Sequence, residues 1–486
     1  MTRSDVIIIG GGAAGLMAAA GAAGQGCSVT VLEKMARPGR KIMITGKGRC
    51  NFTNLKAWNE FSAHIHPKPN FLKPSFYNLS SKKMIDYLTD AGMESVVERG
   101  DRVFPASHLA SDVVDALVRA VENAGADILC GKEVTRISRL APIAQNDENS
   151  SANESSFTIK CSDSSIFECK KVIICTGGLS YPKTGSTGDG YMWAANFGHS
   201  VKPLFPSLTA IVPFGYKANA ALAPLTPAPA VRCKGPQDHL LSCSRPLAGG
   251  GTSIPSIATL AEKKGHIDRS TPLSETGKLL CGNQLKNIQL TIVIDGNEAQ
   301  SEFGDLDFTD GGIEGPVGFK VSRKCVNALV NGSKVTAVID LKPAVDIEDL
   351  TVRISTLWNE ILKDKRSSNK QYKERYRILL TKVLPMSLIQ GFMRLNPNTD
   401  HKTLAKALKN WKFEIEGYVG YERCVITAGG VSCEEITPKT LESKLTPGLY
   451  FAGLLLDLDA DTGGYNLQTA FSTGYLAGLS AAKSLK

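Results

Sequence analysis

A short strand-like run, Asp5 to Ile9 (DVIII), leads straight into Gly10, Gly12 and Gly15 in the spacing G-x-G-x-x-G. No other feature constrains the fold of this chain as strongly. The run is rich in β-branched residues and reads as a strand buried on both faces. Small residues then continue to about Gly24 as a helix, and SVTVLE reads as a second strand ending at Glu33. The first glycine lets the chain turn tightly, the second lets backbone approach a pyrophosphate, and the third lets helix and strand pack closely. The helix start offers unpaired N–H groups to phosphate oxygens. Glu33 falls where a carboxylate accepts from both ribose hydroxyls, which disfavours a 2′-phosphate and hence NADP at this site. A glycine-rich turn in an ordinary α/β sheet would leave that acid unexplained.

After Glu33 a nicotinamide dehydrogenase usually enters another βα unit. Here the chain runs into KMARPGRKIMITGKGRCNFTN, a long basic and glycine-rich connection without helical or strand periodicity. Such a loop suits a long, bent cofactor, and FAD has that length. No second strand-GxGxxG-helix unit and no CxxC pair occur, which argues against a disulfide reductase with two nucleotide domains. NAD(P)H is expected as a transient electron donor at the flavin face. Near the other end, GLYFAG reads as a buried strand, and ADTGGYNLQTAFSTGYLAGLSAA as a glycine turn followed by an amphipathic helix. Tyr465, Asn466 and Gln468 fall in its first turn. A helix N-terminus at the flavin N1/C2=O edge stabilises reduced, anionic flavin by on the order of 1 kcal/mol.

The chain's 486 residues exceed one core and predict two or three domains. Its 42% hydrophobic and 21% charged residues match soluble globular proteins. Twelve scattered cysteines, without metal-ligand spacing, argue against structural zinc and suit a reducing cytoplasm. The uncharged stretch Val6–Gly26 is too rich in Gly and Ala for a membrane span, so neither membrane nor metal is expected. A net charge of +9 permits an anionic partner such as RNA without requiring one.

The segments IIIGGGAAGLMAA, PGRKIMITGKGRCNFTN, DRVFPAS, TGGLSYPKTGSTGDGY and VITAGGV, followed by LYFAG and TGGYNLQTAF, stand in an order that resembles the BaiN/RdsA family of FAD-dependent bacterial oxidoreductases. The resemblance spans both ends and the middle of the chain and is weakest over residues 215 to 285. It implies an α/β fold, with a Rossmann-like FAD-binding domain built from residues 1–200 and 421–486. A β-rich substrate domain (201–344) and a small, basic helical domain (345–420) would lie between. It implies that Gly10, Gly12, Ala14, Gly15, Glu33 and Lys34 contact the ADP half of FAD. Lys41, Thr45, Gly46, Arg49, Cys50 and Asn51 would lie along the pyrophosphate, ribityl chain and ring, and Val134 would reach the adenine. Thr176, Gly177 and Gly178, with Gly453, Asp457, Gly464, Tyr465, Asn466 and Leu467, would complete the site. Relatives usually carry an acid straight after the FAG glycine; Leu454 stands here, leaving Asp457 to serve. Relatives also show FTHxGxSGP where this chain has FTDGGIEGP, placing Asp310 and Glu314 in place of a histidine and a small residue.

The implied chemistry is NAD(P)H-driven reduction of a C=C bond. The substrate is either uridine in 23S ribosomal RNA, giving dihydrouridine, or a small bile-acid-like enone. A low-turnover flavin- and RNA-binding module is a third reading. Cys50 is the first candidate for the proton donor, ahead of Tyr181 and Lys183. Residues 217–280, rich in Pro, Ser and Gly, read as an irregular insertion in which the pair Cys233 and Cys243 is incidental. The segment Lys363–Lys382 carries eight cations against two acids and two tyrosines. It reads either as a solvated helix face or as an RNA-phosphate patch with tyrosines for stacking.

Overall fold

The computed structural model describes residues 2–140, 156–218, 265–367 and 369–486. Most of the expected insertion, with Cys233 and Cys243, lies outside the described residues.

Strand Thr2–Ile9 sits centrally in a mostly parallel sheet, between Val29–Glu33 and Ile166–Ile174. Asp127–Cys130 extends one edge, and Leu449–Phe451 pairs in parallel with Ile166–Ile174. Ser156–Cys161 and Val134–Leu140 then add antiparallel strands. Val6 to Ile9 are almost wholly buried, as an unalternating apolar run requires. Helix Ala13–Ala23 is nearly all Ala and Gly because it is covered on every side. The sheet lies against it on one side, and the 19-residue C-terminal helix Tyr465–Lys483 crosses the other. A Cβ on Gly474 would lie 2.1 Å from the Ala14 carbonyl oxygen, and one on Gly478 2.0 Å from that of Ala18. These two glycines bring the chain's two ends into one Rossmann-like unit.

A second sheet closes on itself as a barrel. Its strands run Ile211–Pro213, Gly312–Glu314, Asn297–Thr309, Gln284–Ile294, Val335–Asp340 and Trp411–Val419, with Ile211 opposite Tyr418 at the closure. The strand Trp411–Val419 corrects the expectation that 345–420 is helical throughout. Trp411, Phe413 and Ile415 point into the barrel core while Lys412 and Glu414 face out. Helices Ile347–Lys363, Tyr372–Val383, Met386–Leu395 and Leu404–Lys409 pack onto the barrel in one shared apolar core. Tyr376 is buried in that core, so it offers no face for base stacking; Tyr372 is half-exposed and packs on Trp358 and Tyr376. The antiparallel pair Val201–Ser207 and Ile426–Val431 joins the barrel unit to the nucleotide unit. Among the described residues no helix is long and apolar enough to cross a membrane.

Candidate functional site

A cavity of about 1140 Å³ runs from the glycine fingerprint, past the C-terminal helix, to the barrel. Its wall is assembled from segments far apart in sequence. Gly10, Gly12 and Ala14 come from the fingerprint, Glu33 and Lys34 from the end of the second strand, and Lys41, Thr45, Gly46, Arg49 and Asn51 from the basic loop. Val134, Thr176, Gly177, Gly178, Gly453, Gly464, Tyr465, Asn466 and Leu467 complete that half. The barrel side adds Leu208, Gln284, Thr309, Glu314 and Phe319. Gly15, Cys50 and Asp457 do not line the cavity.

The fingerprint glycines differ in what they require. A Cβ on Gly15 would sit 1.8 Å from the Gly10 carbonyl oxygen, whereas one on Gly12 would meet nothing within 4 Å. Gly15 therefore serves packing, and Gly12 leaves open the space that a phosphate would take. The Glu33 carboxylate accepts from the Gly11 N–H and from the Met35 N–H, each at 2.7 Å. It braces the fingerprint turn and keeps a lone pair on each oxygen for hydroxyl donors. Lys34 is engaged elsewhere: its ammonium pairs with Asp189 at 2.7 Å and bonds Thr187.

In the basic loop, Thr45 Oγ1 donates to the Ile42 carbonyl at 2.7 Å and Lys41 Nζ donates to Ser180 Oγ at 3.2 Å. Burial depresses the Lys41 ammonium to about 8. Arg49 pairs with Glu98, bonds His108 Nδ1 and covers the Phe104 ring at 4.5 Å. Asn51 Oδ1 is a buried polar atom with no hydrogen-bond partner among the described residues, whereas the equally unpartnered Thr176 Oγ1 turns towards Gly190 and Leu455. Such atoms are costly unless a ligand completes them.

At the C-terminal helix, Gly464 at φ 96° leaves the first turn without a side-chain cap. The amides of Tyr465, Asn466 and Leu467 thus form a donor-rich end that carries no acidic side chain. The Asn466 side chain instead clamps the preceding turn. It accepts from the Ala460 N–H at 2.9 Å and donates to the carbonyls of Ala460 (2.7 Å) and Asp461 (3.1 Å). Gln468 is buried off the cavity, tied to Thr53, Leu79 and Ser472.

Cys50 requires a correction. Its side chain is fully buried off the cavity, and burial pushes the thiol up to about 12, so it has neither the access nor the acidity of a proton donor. In the folded protein at pH 8, Cys50 is expected to resist iodoacetamide, read by peptide mass spectrometry; rapid labelling would place it at the cavity surface. Lys183 is exposed and lies outside the cavity wall, while Tyr181 lines it. Asp457 does not take over from the missing acid: it is buried elsewhere, its backbone tied to Val431, while Leu454 lines the cavity. Glu314 lines the barrel end and, with Asp310, holds Arg269, whose Nε donates to Asp310 at 2.9 Å and Nη1 to Glu314 at 3.2 Å. Burial raises the Glu314 carboxyl. Overall, lysines and arginines outnumber the four carboxylates on the wall, Glu33, Asp189, Asp307 and Glu314. Sequence reasoning did not find His64 or Arg269 on this wall. Each meets its partners only after folding, and no motif marks either.

The HI0933-like protein Rossmann domain family matches residues 4–480. The chain belongs to that family. Its members are flavin-dependent oxidoreductases. Two relatives are each called ribosomal RNA dihydrouridine synthase. One, from Haemophilus influenzae, is 29% identical over 490 residues, covering 99% of both chains. The other, from Escherichia coli, is 29% identical over 489 residues, covering 100% of both. A third, the 3-dehydro-bile acid delta(4,6)-reductase of Clostridium scindens, is 26% identical over 491 residues, covering 98% of both. The unpartnered Asn51 atom, the open face of Gly12 and the uncapped helix start fit a flavin dinucleotide in this cavity.

Proposed function

We propose that this family member binds FAD in the cavity, takes electrons from NAD(P)H, and reduces the C5=C6 bond of uridine in 23S ribosomal RNA to dihydrouridine in the cytoplasm. The observation that carries the reading is one wall offering a ribose acceptor (Glu33), an open phosphate approach (Gly12), an unpartnered buried polar atom (Asn51) and an uncapped helix start. Gly10, Ala14 and Val134 would border the adenosine half, and Asn51, Thr176 and the Tyr465 turn the ring half. When bound, the flavin supplies reversible hydride chemistry. The chain's own residues bind and orient the cofactor and exclude water from the reacting face, and its cationic wall favours a polyanionic substrate. Full-length similarity to two proteins named for ribosomal RNA supports the choice of uridine.

The test is a visible spectrum of purified protein before and after anaerobic addition of NADH or NADPH. A flavin band that bleaches, and returns on addition of 23S rRNA lacking dihydrouridine, is the expected result. A colourless protein that added FAD does not reconstitute sinks the enzymatic reading and leaves the binding-module alternative. A reduced band reoxidised by a steroid enone and not by the RNA selects the small-molecule reading, supported by the name of the third relative.

A further inference from the structure

An acid–base constellation reaches the cavity wall through His64, where the early and late parts of the chain meet. The two-residue strand Ile65–His66 pairs antiparallel with Asp459–Ala460. That pairing sets His64 Nδ1 2.8 Å from one Asp461 oxygen and His66 Nε2 3.2 Å from the other. His64 lines the cavity beside Thr462 and Gly463. Its ring stacks on Tyr465, with centroids 4.3 Å apart and planes at 22°, and Tyr465 is itself held edge-on by Phe61. The adjacent Asp459 is gripped by Arg323 of the barrel helix Gly315–Val330, at 2.8 and 3.1 Å. The constellation therefore sits on the seam between the nucleotide unit and the barrel.

The geometry fixes how His64 handles a proton. Asp461 only accepts, so Nδ1 keeps its hydrogen in both ionisation states, and Nε2 becomes the position that gains and loses one. Nε2 has no hydrogen-bond partner among the described residues. No tautomer exchange is needed when the proton leaves. The ionisable groups around the ring are Asp461, His66 through that same carboxylate, and Glu60, which is paired with Lys56. Burial alone would raise the Asp461 carboxyl, but hydrogen bonds from His64 and His66 outweigh it and hold the group at about 2, so its charge persists through neutral pH. Of the other acids on the wall, Lys41 is bonded to Ser180, Glu314 holds Arg269, and burial raises the Tyr181 phenol.

We propose that His64 is the acid that protonates the substrate carbon, with Asp461 as its positioning residue. The proposal rests on the C=C reduction argued above. With reduced flavin bound as the hydride source, one alkene carbon would gain a hydride and the π electrons would move onto the neighbouring carbon. That carbon forms its C–H bond as the Nε2–H bond of His64 breaks. Imidazolium becomes neutral imidazole, the flavin is left oxidised, and His64 regains its proton from solvent.

The experiment uses full-length, flavin-loaded protein with His64→Gln, His64→Ala and Asp461→Asn. Reduced enzyme is reoxidised either by ferricyanide, which needs no carbon-bound proton, or by 23S rRNA lacking dihydrouridine and, separately, by a steroid enone. His64→Gln should keep its flavin spectrum and ferricyanide rate, while reoxidation by the alkene falls at least ~100-fold and the limb of its pH profile assigned to the acid disappears. Imidazole should restore part of the His64→Ala rate. Asp461→Asn should lower kcat and move that limb with little change in KM. Nitrogen NMR of the folded protein should show the Nδ1–H form of His64 once Nε2 is deprotonated. The opposite tautomer, or alkene reoxidation by His64→Gln within about threefold of wild type, overturns this inference alone. A parallel loss of ferricyanide and alkene rates that imidazole does not restore makes His64 structural and overturns it too. Wild-type protein that reduces neither alkene overturns the C=C reading, and the proposal with it.

Discussion

Gly12→Ala and Gly15→Ala, three residues apart in one motif, are expected to fail in opposite ways. The Gly15 variant forces a methyl group to within 1.8 Å of the Gly10 carbonyl oxygen, and backbone cannot swing aside as a long side chain does. Helix Ala13–Ala23 must lift from the sheet, while its other face is already locked by the contacts of Gly474 and Gly478 with Ala14 and Ala18. Overpacking of this kind costs about 3 kcal/mol. The denaturation midpoint of flavin-free protein should fall, and flavin retention with it. At Gly12 the added methyl meets no protein atom, and its φ of −86° suits alanine, so flavin-free stability should stay within about 0.5 kcal/mol of wild type. The methyl nevertheless occupies the approach to the phosphates. Flavin affinity should fall roughly 100-fold, equivalent to about 3 kcal/mol. Denaturation of apoprotein together with flavin titration separates the two outcomes. Equal destabilisation by both variants would mean that Gly12 is a packing glycine and that the phosphate approach lies elsewhere.

The same contrast explains what the sequence alone could reveal. The fingerprint was legible because glycine spacing, a β-branched run and a terminal acid each reflect a local requirement. The C-terminal turn was legible for the same reason, since a helix beginning after two glycines announces its free amides. Cys50 misled because it sits in a loop of chemically active residues; composition shows proximity along the chain, not the direction in which a side chain points. Its thiol turns into the core while its neighbour Asn51 faces the cavity. Over residues 411–416 the strand Trp411–Val419 alternates between apolar and charged residues, yet its three positive and negative charges beside a basic segment mask that period. His64 and Asp461 lie 397 residues apart and meet only through a two-residue strand pairing, which no local pattern encodes. Local demands are written in local sequence, while meetings across the chain are products of the fold.

Arg323→Met should destabilise the protein strongly from a position outside the cofactor wall. Asp459 is 1% exposed and lies on the seam between the two units, and Arg323 supplies its two close donors. Removing that partner leaves a buried carboxylate uncompensated, at a cost of about 3–5 kcal/mol. Burial already raises the Asp459 carboxyl with Arg323 present, and the loss of that cation raises it further. A folded-state value above the unfolded one means that the native protein binds a proton the unfolded chain does not. The variant should therefore regain stability as pH falls from 7 towards 5, while Asp461, held at about 2, stays ionised throughout that window. Asp459→Asn removes the buried charge, and the double variant should be more stable than Arg323→Met alone. The measurement is a double-mutant cycle by chemical denaturation at pH 7 and pH 5. A coupling below about 0.5 kcal/mol, or a variant whose deficit is independent of pH, would show that Asp459 is compensated without Arg323. The seam would then be held by the apolar contacts of the barrel helix, with the ion pair contributing register rather than strength.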